Sequence, residues 1–254
     1  VRIFWVALRK ELIEQWRSYR LVIVGAVLLL FGFASPILAK YVPEILRLAL
    51  PEGEAILQLI PSPSAADAVS QYLKNISQFG ILLAVLMTMG TVAREKDKGT
   101  AALMVVKPMP RGVFLMAKMV ALGLTFSTGI FLAGVACYLY TMLLFEALSL
   151  TAWLALNGLL LLSILVYVAL TLLCSTLSRS QVISGALAFG ALVVLSILGA
   201  VPKLGDWMPG RLNTWAGSLF AGGGDAAWAA VGVSVGLIVA ALIAAWLIFE
   251  RQEL

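Results

Sequence analysis

The chain has 254 residues, 62% of them hydrophobic and 12% charged, with a net charge of +5 and a mean hydropathy of +1.02. A soluble domain carries about a quarter charged residues, so this composition excludes an ordinary soluble fold. Histidine is absent, which removes the commonest metal ligand and general base, and with them Ser–His hydrolysis and His-Glu-x-x-His zinc chemistry.

Residues 1–20 are too polar to cross a membrane and read as an amphipathic helix. Trp5, Leu8, Leu12, Trp16 and Tyr19 recur at spacings of three and four along one face, with Lys10, Glu14 and Arg17 opposite. Such a helix lies in the lipid interface with its aromatics in the acyl boundary. It is either a simple anchor or an elbow that receives force from a partner. The first apolar run begins only after Arg20, is long enough to span and lacks a small-residue cleavage site, so no removable leader is expected.

From there the chain predicts an all-α membrane fold. About 20 apolar residues suffice to cross the ~30 Å hydrocarbon core as a helix. Six such runs fall at 21–39, 76–93, 119–145, 150–177, 181–201 and 226–249, and residues 147–178 and 226–249 carry no charge at all. The last span has Trp228 near its start and Trp246 near its end, about 27 Å apart at 1.5 Å per residue, as interface anchors would be. Thirteen of the 18 Lys and Arg then fall on the side of the N-terminus, chiefly between Arg2 and Arg20 and between Arg94 and Lys118. The positive-inside rule places both termini in the cytoplasm. The basic balance is a topology signal, and no nucleic-acid partner is expected.

Two outer loops are predicted, about 40–75 and 202–225. The first is punctuated by Pro43, Pro51, Pro61 and Pro63, the second by Trp207, Trp215 and Gly222-Gly223-Gly224. Together they are candidates for an outer gate.

The informative cytoplasmic stretch follows the second span. Arg94-Glu95-Lys96-Asp97-Lys98-Gly99-Thr100 leads into Ala101-Ala102-Leu103-Met104-Val105-Val106-Lys107-Pro108. Gly99 suits the left-handed residue that ends a helix, Thr100 a new N-cap, and Pro108 the stop. The product, about 100–107, is a short helix presenting Leu103, Met104 and Val106. One so short is not stable alone in water. It either packs on its own bundle as a tight turn or seats in a groove of another protein, the better account of apolar residues flanked by charge.

The pattern Glu95, Gly99-Thr100, Leu103, Pro108, Arg111 and Lys118 resembles the cytoplasmic signature of the type-2 (export-type) permeases of ABC transporters. Arg9-Lys10-Glu11-Leu12 in the elbow helix, the six spans and the proline-rich first loop are similar as well. The resemblance implies a permease with two functional parts, the elbow at 1–20 and a transmembrane unit at 21–254. It implies a second permease copy and two copies of an ABC ATP-binding subunit, with residues 100–107 as the coupling helix and Glu95 and Arg111 as flanking contacts to the ATPase or the elbow. This chain has no Gly-x-x-x-x-Gly-Lys-Ser/Thr loop. It is therefore expected to bind no cofactor and to catalyse nothing, with ATP and Mg on the partner, and to sit as a multi-pass protein in a cytoplasmic (inner) membrane.

The remaining features discriminate between energy sources. All 13 acidic residues fall at the ends of the predicted spans or in loops, whereas proton-coupled transporters keep ionisable groups within the membrane. Asn157 is the most polar side chain in the spans and is the candidate for a substrate path, though an interhelical hydrogen bond is the commoner role. Gly232 and Gly236 match the Gly-x-x-x-Gly packing motif and serve either ordinary packing or dimerisation. Cys137 and Cys174 lie in apolar runs and read as small buried hydrophobes. No metal site is expected. An ATP-driven exporter of hydrophobic or amphiphilic molecules accounts for the whole pattern; the alternative is a non-transporting subunit that anchors or regulates a larger membrane complex.

Overall fold

The computed structural model describes residues 2–49, 63–99, 110–220 and 223–252, with the backbone alone over 43–49. Among the described residues every regular element is helical: α1 Arg2–Arg17, α2 Arg20–Ala49, α3 Ala65–Thr88, α4 Ala93–Asp97, α5 Arg111–Leu144, α6 Leu150–Leu177, α7 Gln181–Ala200, a 3-10 turn at Gly205–Trp207, α8 Gly210–Ser218 and α9 Trp228–Arg251. Six helical stretches are long and apolar enough to cross a membrane, α3 and α4 together forming the second.

Helix α6 is the hub, in contact with α3, α5, α7, α8 and α9, while α2 lies along α5. The core follows from these contacts. Leu156, Leu160, Ile164 and Leu172 of α6 are fully buried beside Tyr72 and Ile76 of α3 and Leu122 and Phe126 of α5. Burial is unequal among the spans: 67% of the most apolar window of α6 is buried, against 17% in α7 and in α9. Those two helices leave most of their apolar surface outward, as membrane helices do. Trp228 and Trp246 are exposed at the two ends of α9.

Several boundaries differ from the sequence reading, for local reasons. The second span begins at Ala65 rather than near residue 76, because Ser64 and Asp67 form a capping box. The Asp67 amide donates to the Ser64 hydroxyl at 3.3 Å and the Ser64 amide to Asp67 Oδ2 at 2.9 Å. Asp67 at the first turn also faces the positive helix end. The third span begins at Arg111, directly after Pro110, whose fixed φ suits a helix start. The loop at 202–225 is not a bare connection. It contains α8, which buries Leu212 and Ala216 and packs against Leu159 and Leu162 of α6. Trp215 meets Trp228 edge-on at 5.4 Å. Much of the loop at 40–75 is helix as well, through α2 and α3.

The joint between α1 and α2 turns on Tyr19, whose φ of 60° is left-handed. The Tyr19 amide closes the end of α1 on the Trp16 carbonyl at 3.1 Å, and its own carbonyl accepts from Ile23 at 2.8 Å to open α2. One residue therefore ends one helix and starts the next. A methyl group added at Gly232 or Gly236 would meet no described atom within 4 Å, so this motif does not pack helices within the described chain. The close approach lies elsewhere: a Cβ on Gly32 would stand 2.5 Å from the Ala133 carbonyl oxygen.

Candidate coupling site

Of the residues singled out in the sequence, Thr100, Leu103, Met104, Val106 and Pro108 lie outside the described residues. Glu95 and Gly99 stand just before that stretch and Arg111 just after it. Gly99 adopts the left-handed conformation expected of it, with φ +68°, and its amide donates to the Lys96 carbonyl at 3.2 Å. No described atom lies within 4 Å of where a Cβ would stand, and the positive φ alone favours glycine there.

Glu95 lies at the centre of an ion-pair network joining α1, α4 and α5. Lys118 Nζ is 2.9 Å from Glu95 Oε1 and 3.1 Å from both carboxylate oxygens of Glu11. Lys10 Nζ is 3.2 Å from Glu95 Oε1, 3.1 Å from Glu11 Oε1 and 3.5 Å from Glu14 Oε2. Lys118 is 1% exposed and Glu11 4%. A buried ion costs several kcal/mol of desolvation, and here each buried charge meets more than one opposite charge. Lys118 also lies over the Phe114 ring, 4.7 Å from its centroid. Burial works against the charge on Lys10, but the carboxylates of Glu11, Glu95 and Glu14 outweigh it and lift its pKa above the ordinary lysine value. Oxygens of Glu11, Glu14 and Glu95 come within 4.8 Å of one another. Two ammonium groups already occupy the ground between them, so the cluster is an ion-pair network and not a cation site.

The elbow residues divide. Leu8 is buried and Leu12 half-buried, whereas Trp5 and Trp16 are exposed. The face of α1 that meets the bundle consists of Ala7, Leu8, Glu11 and Gln15, one step round the helix from the apolar stripe read in the sequence. The physical reason is partnership: Glu11 has Lys118, and Gln15 Oε1 accepts from the buried Thr125 hydroxyl. A buried polar group with a partner is not a penalty. The exposed stripe of Trp5, Trp16 and Tyr19 remains available to lipid.

Arg111 turns to a different element. Its NH1 donates to the carbonyls of Phe249 at 2.5 Å and Glu250 at 2.7 Å, and its guanidinium lies over the Phe249 ring. Asn157 links α6 to α3. Its Oδ1 accepts the Tyr72 hydroxyl at 2.7 Å and its Nδ2 donates to the Trp153 carbonyl at 2.9 Å.

From sequence Ser175 is one of several span hydroxyls able to bond within their own helices, with no special role; the structure gives it one. The second span is interrupted between Thr88 and Ala93, and a helix restart leaves amides without intrahelical partners. The hydroxyl of Ser175, on α6, accepts from the amides of Val92 at 3.1 Å and Ala93 at 3.0 Å and donates to the Met89 carbonyl at 2.9 Å. All three bonds are made by one side chain that is itself 0% exposed. On the other flank, Arg94 Nε donates to Gln181 of α7. Ser175→Ala is expected to leave two buried amides unsatisfied, at about 1–3 kcal/mol each. Chemical-denaturant unfolding in detergent should register a clear loss of stability with little change in helix content.

A sequence model of the family described as ABC-2 family transporter protein matches residues 5–205. That range takes in nearly all of α1, the whole Lys10–Glu95–Lys118 network and the first five spans. The uncharacterized transmembrane protein YxlG of Bacillus subtilis (strain 168) is 28% identical over 219 residues, which is 84% of this chain and 83% of that protein. With six apolar spans, and with this match over most of its length, the chain belongs to the ABC-2 family of transporter proteins as a multi-pass membrane protein.

Proposed function

We propose that the chain is the permease subunit of an ATP-driven exporter, working by alternating access as a dimer on two copies of a separate ABC ATP-binding subunit. ATP and Mg belong to that partner. The end of the bundle carrying α1 faces the cytoplasm, and the membrane is the cytoplasmic (inner) one. Residues 100–107 are the coupling helix, with Leu103, Met104 and Val106 entering the ATPase groove.

One observation carries this reading. Glu95, four residues before Gly99 ends α4 and opens the way to the coupling segment, is bonded to Lys118 of α5 and to Lys10 of α1. A push on the segment therefore reaches α5 through the buried Lys118 and α1 through the half-exposed Lys10. A subunit that merely anchored a complex would have no use for such a link. The apolar spans favour hydrophobic or amphiphilic cargo.

The test is purification of the tagged chain from its native host in mild detergent, with mass spectrometry of what accompanies it. An ATP-binding subunit should co-purify, and the doubly substituted Leu103→Asp, Met104→Asp chain should lose it while keeping its fold. Recovery of other membrane proteins without any ATPase would instead establish the anchoring subunit.

A further inference from the structure

We infer that the end of the last span, α9, is a moving part of the coupling machinery, gripped from both ends of the coupling segment through Gln252. This rests on the coupling role proposed above and extends it to a helix that is remote from the segment in sequence.

The final carbonyls of α6 and α9 have no intrahelical donors, and the C-terminal end of a helix attracts cations. Both ends are capped here, and by residues that flank the same stretch of chain. Lys96, on the near side, donates to the Thr176 carbonyl at the end of α6 at 2.6 Å and to Gln252 Oε1 at 2.8 Å. Arg111, on the far side, donates through NH1 to the carbonyls of Phe249 at 2.5 Å, Glu250 at 2.7 Å and Gln252 at 3.1 Å. Gln252 closes the circuit, its Nε2 donating to the Thr176 carbonyl at 3.0 Å.

Gln252 thus holds two elements at once, while its backbone is held by a third. Its side-chain amide joins α4 through Lys96 to α6 through Thr176, and its carbonyl is fastened to α5 through Arg111. Below this ring of bonds the contact is apolar: Phe114 and Phe249 stack at 5.5 Å, with planes 10° apart. The two cations that cap these helix ends stand on either side of residues 100–109. Displacing that segment as a body moves both cations, and the ends of α6 and α9 follow. Among the described residues, the Lys96–Gln252 bond joins the last span to α4.

The test uses the full chain with its co-purified ATP-binding subunit in detergent. Hydrogen–deuterium exchange over the end of α9 is compared without nucleotide and with ATP plus vanadate, in the parent complex and in Gln252→Ala. The expected result is a nucleotide-dependent change in exchange in the parent that is diminished in Gln252→Ala, which loses the bonds to Lys96 and Thr176 but keeps Arg111 on the backbone carbonyls, while the ATPase remains bound in both. Equal exchange in the parent with and without nucleotide, or an unchanged response in Gln252→Ala, would overturn the inference and leave α9 a static wall. If Gln252→Ala does not accumulate, Gln252→Glu serves instead. It keeps the acceptor for Lys96 and loses the donor to Thr176, so a diminished response supports the inference and an undiminished one refutes it. Absence of any ATPase from the parent complex is a different failure, since it removes the coupling reading itself.

Discussion

Lys118→Met is expected to release α1 from the bundle. The substitution is close in volume and removes the fully buried cation that faces Glu11 and Glu95. Of the two described cations between those carboxylates, Lys10 remains, and its side chain is 39% exposed. Removing one partner of a buried ion pair costs about 3–5 kcal/mol. Thermal unfolding in detergent should show the loss, and limited proteolysis should cut the chain near the α1–α2 joint. Adding Glu11→Gln should restore part of the stability, because one stranded charge is gone and Glu95 keeps Lys10. The two changes touch one network, so their effects are not additive. Lys10→Met should cost far less, since a half-exposed pair is screened by solvent. If Lys118→Met and Lys10→Met proved equally mild, the network would have no structural role.

Gly32→Val is expected to be the more damaging of the two largest changes. A Cβ at Gly32 would lie 2.5 Å from the Ala133 oxygen and 2.8 Å from its Cα. These are backbone atoms of α5, so no side chain can turn aside and the two helices must separate. The same seam carries Gly129, where a Cβ would meet Leu28 at 2.9 Å, and the fully buried Val24 and Leu28. Small residues of this kind allow membrane helices to approach until their backbones nearly touch. Overpacking a tight core commonly costs about 1–3 kcal/mol and more where nothing can relax. Because α2 meets the rest of the described bundle chiefly along α5, α3 and α1, separation here should peel the first span away. The expected readout is loss of the monodisperse peak in size-exclusion chromatography, with Gly32→Ala intermediate. A normal peak for Gly32→Val would mean that α2 and α5 are not in backbone contact.

The large features of the fold were legible because they depend on composition and local rules. Six long apolar runs announced the spans, and Gly99 followed from a charged helix end before a new cap. The capping box at Ser64 was equally local, and the Ser-x-x-Asp spacing could have placed the start of α3. What stayed hidden was partnership across the chain. Nothing in the apolar periodicity marks Glu11 or Gln15 for burial, because a search for it scores polar side chains as exposed. They are buried only because Lys118 and Thr125 lie opposite, more than a hundred residues later. Ser175 was indistinguishable from the other hydroxyls of the spans, most of which bond within their own helix. Gly232 and Gly236 carried the Gly-x-x-x-Gly motif, yet the tight helix pair is Gly32 with Ala133, where α5 offers the looser small-residue spacing Gly129-Ile130-Phe131-Leu132-Ala133.

The Ser175 hydroxyl gives the second span a mechanical character that an unbroken helix would lack. A continuous helix is a strut, carrying an axial load from residue to residue through its own ladder of hydrogen bonds. Between Thr88 and Ala93 that ladder is thinned: Thr91 still donates to Thr88 and Arg94 to Gly90, while the amides of Val92 and Ala93 turn sideways to Ser175 of α6. Load arriving along α4 is therefore shed in part sideways into α6, the best-buried of the described spans. The second span is two levers on one pivot, and the pivot belongs to its neighbour.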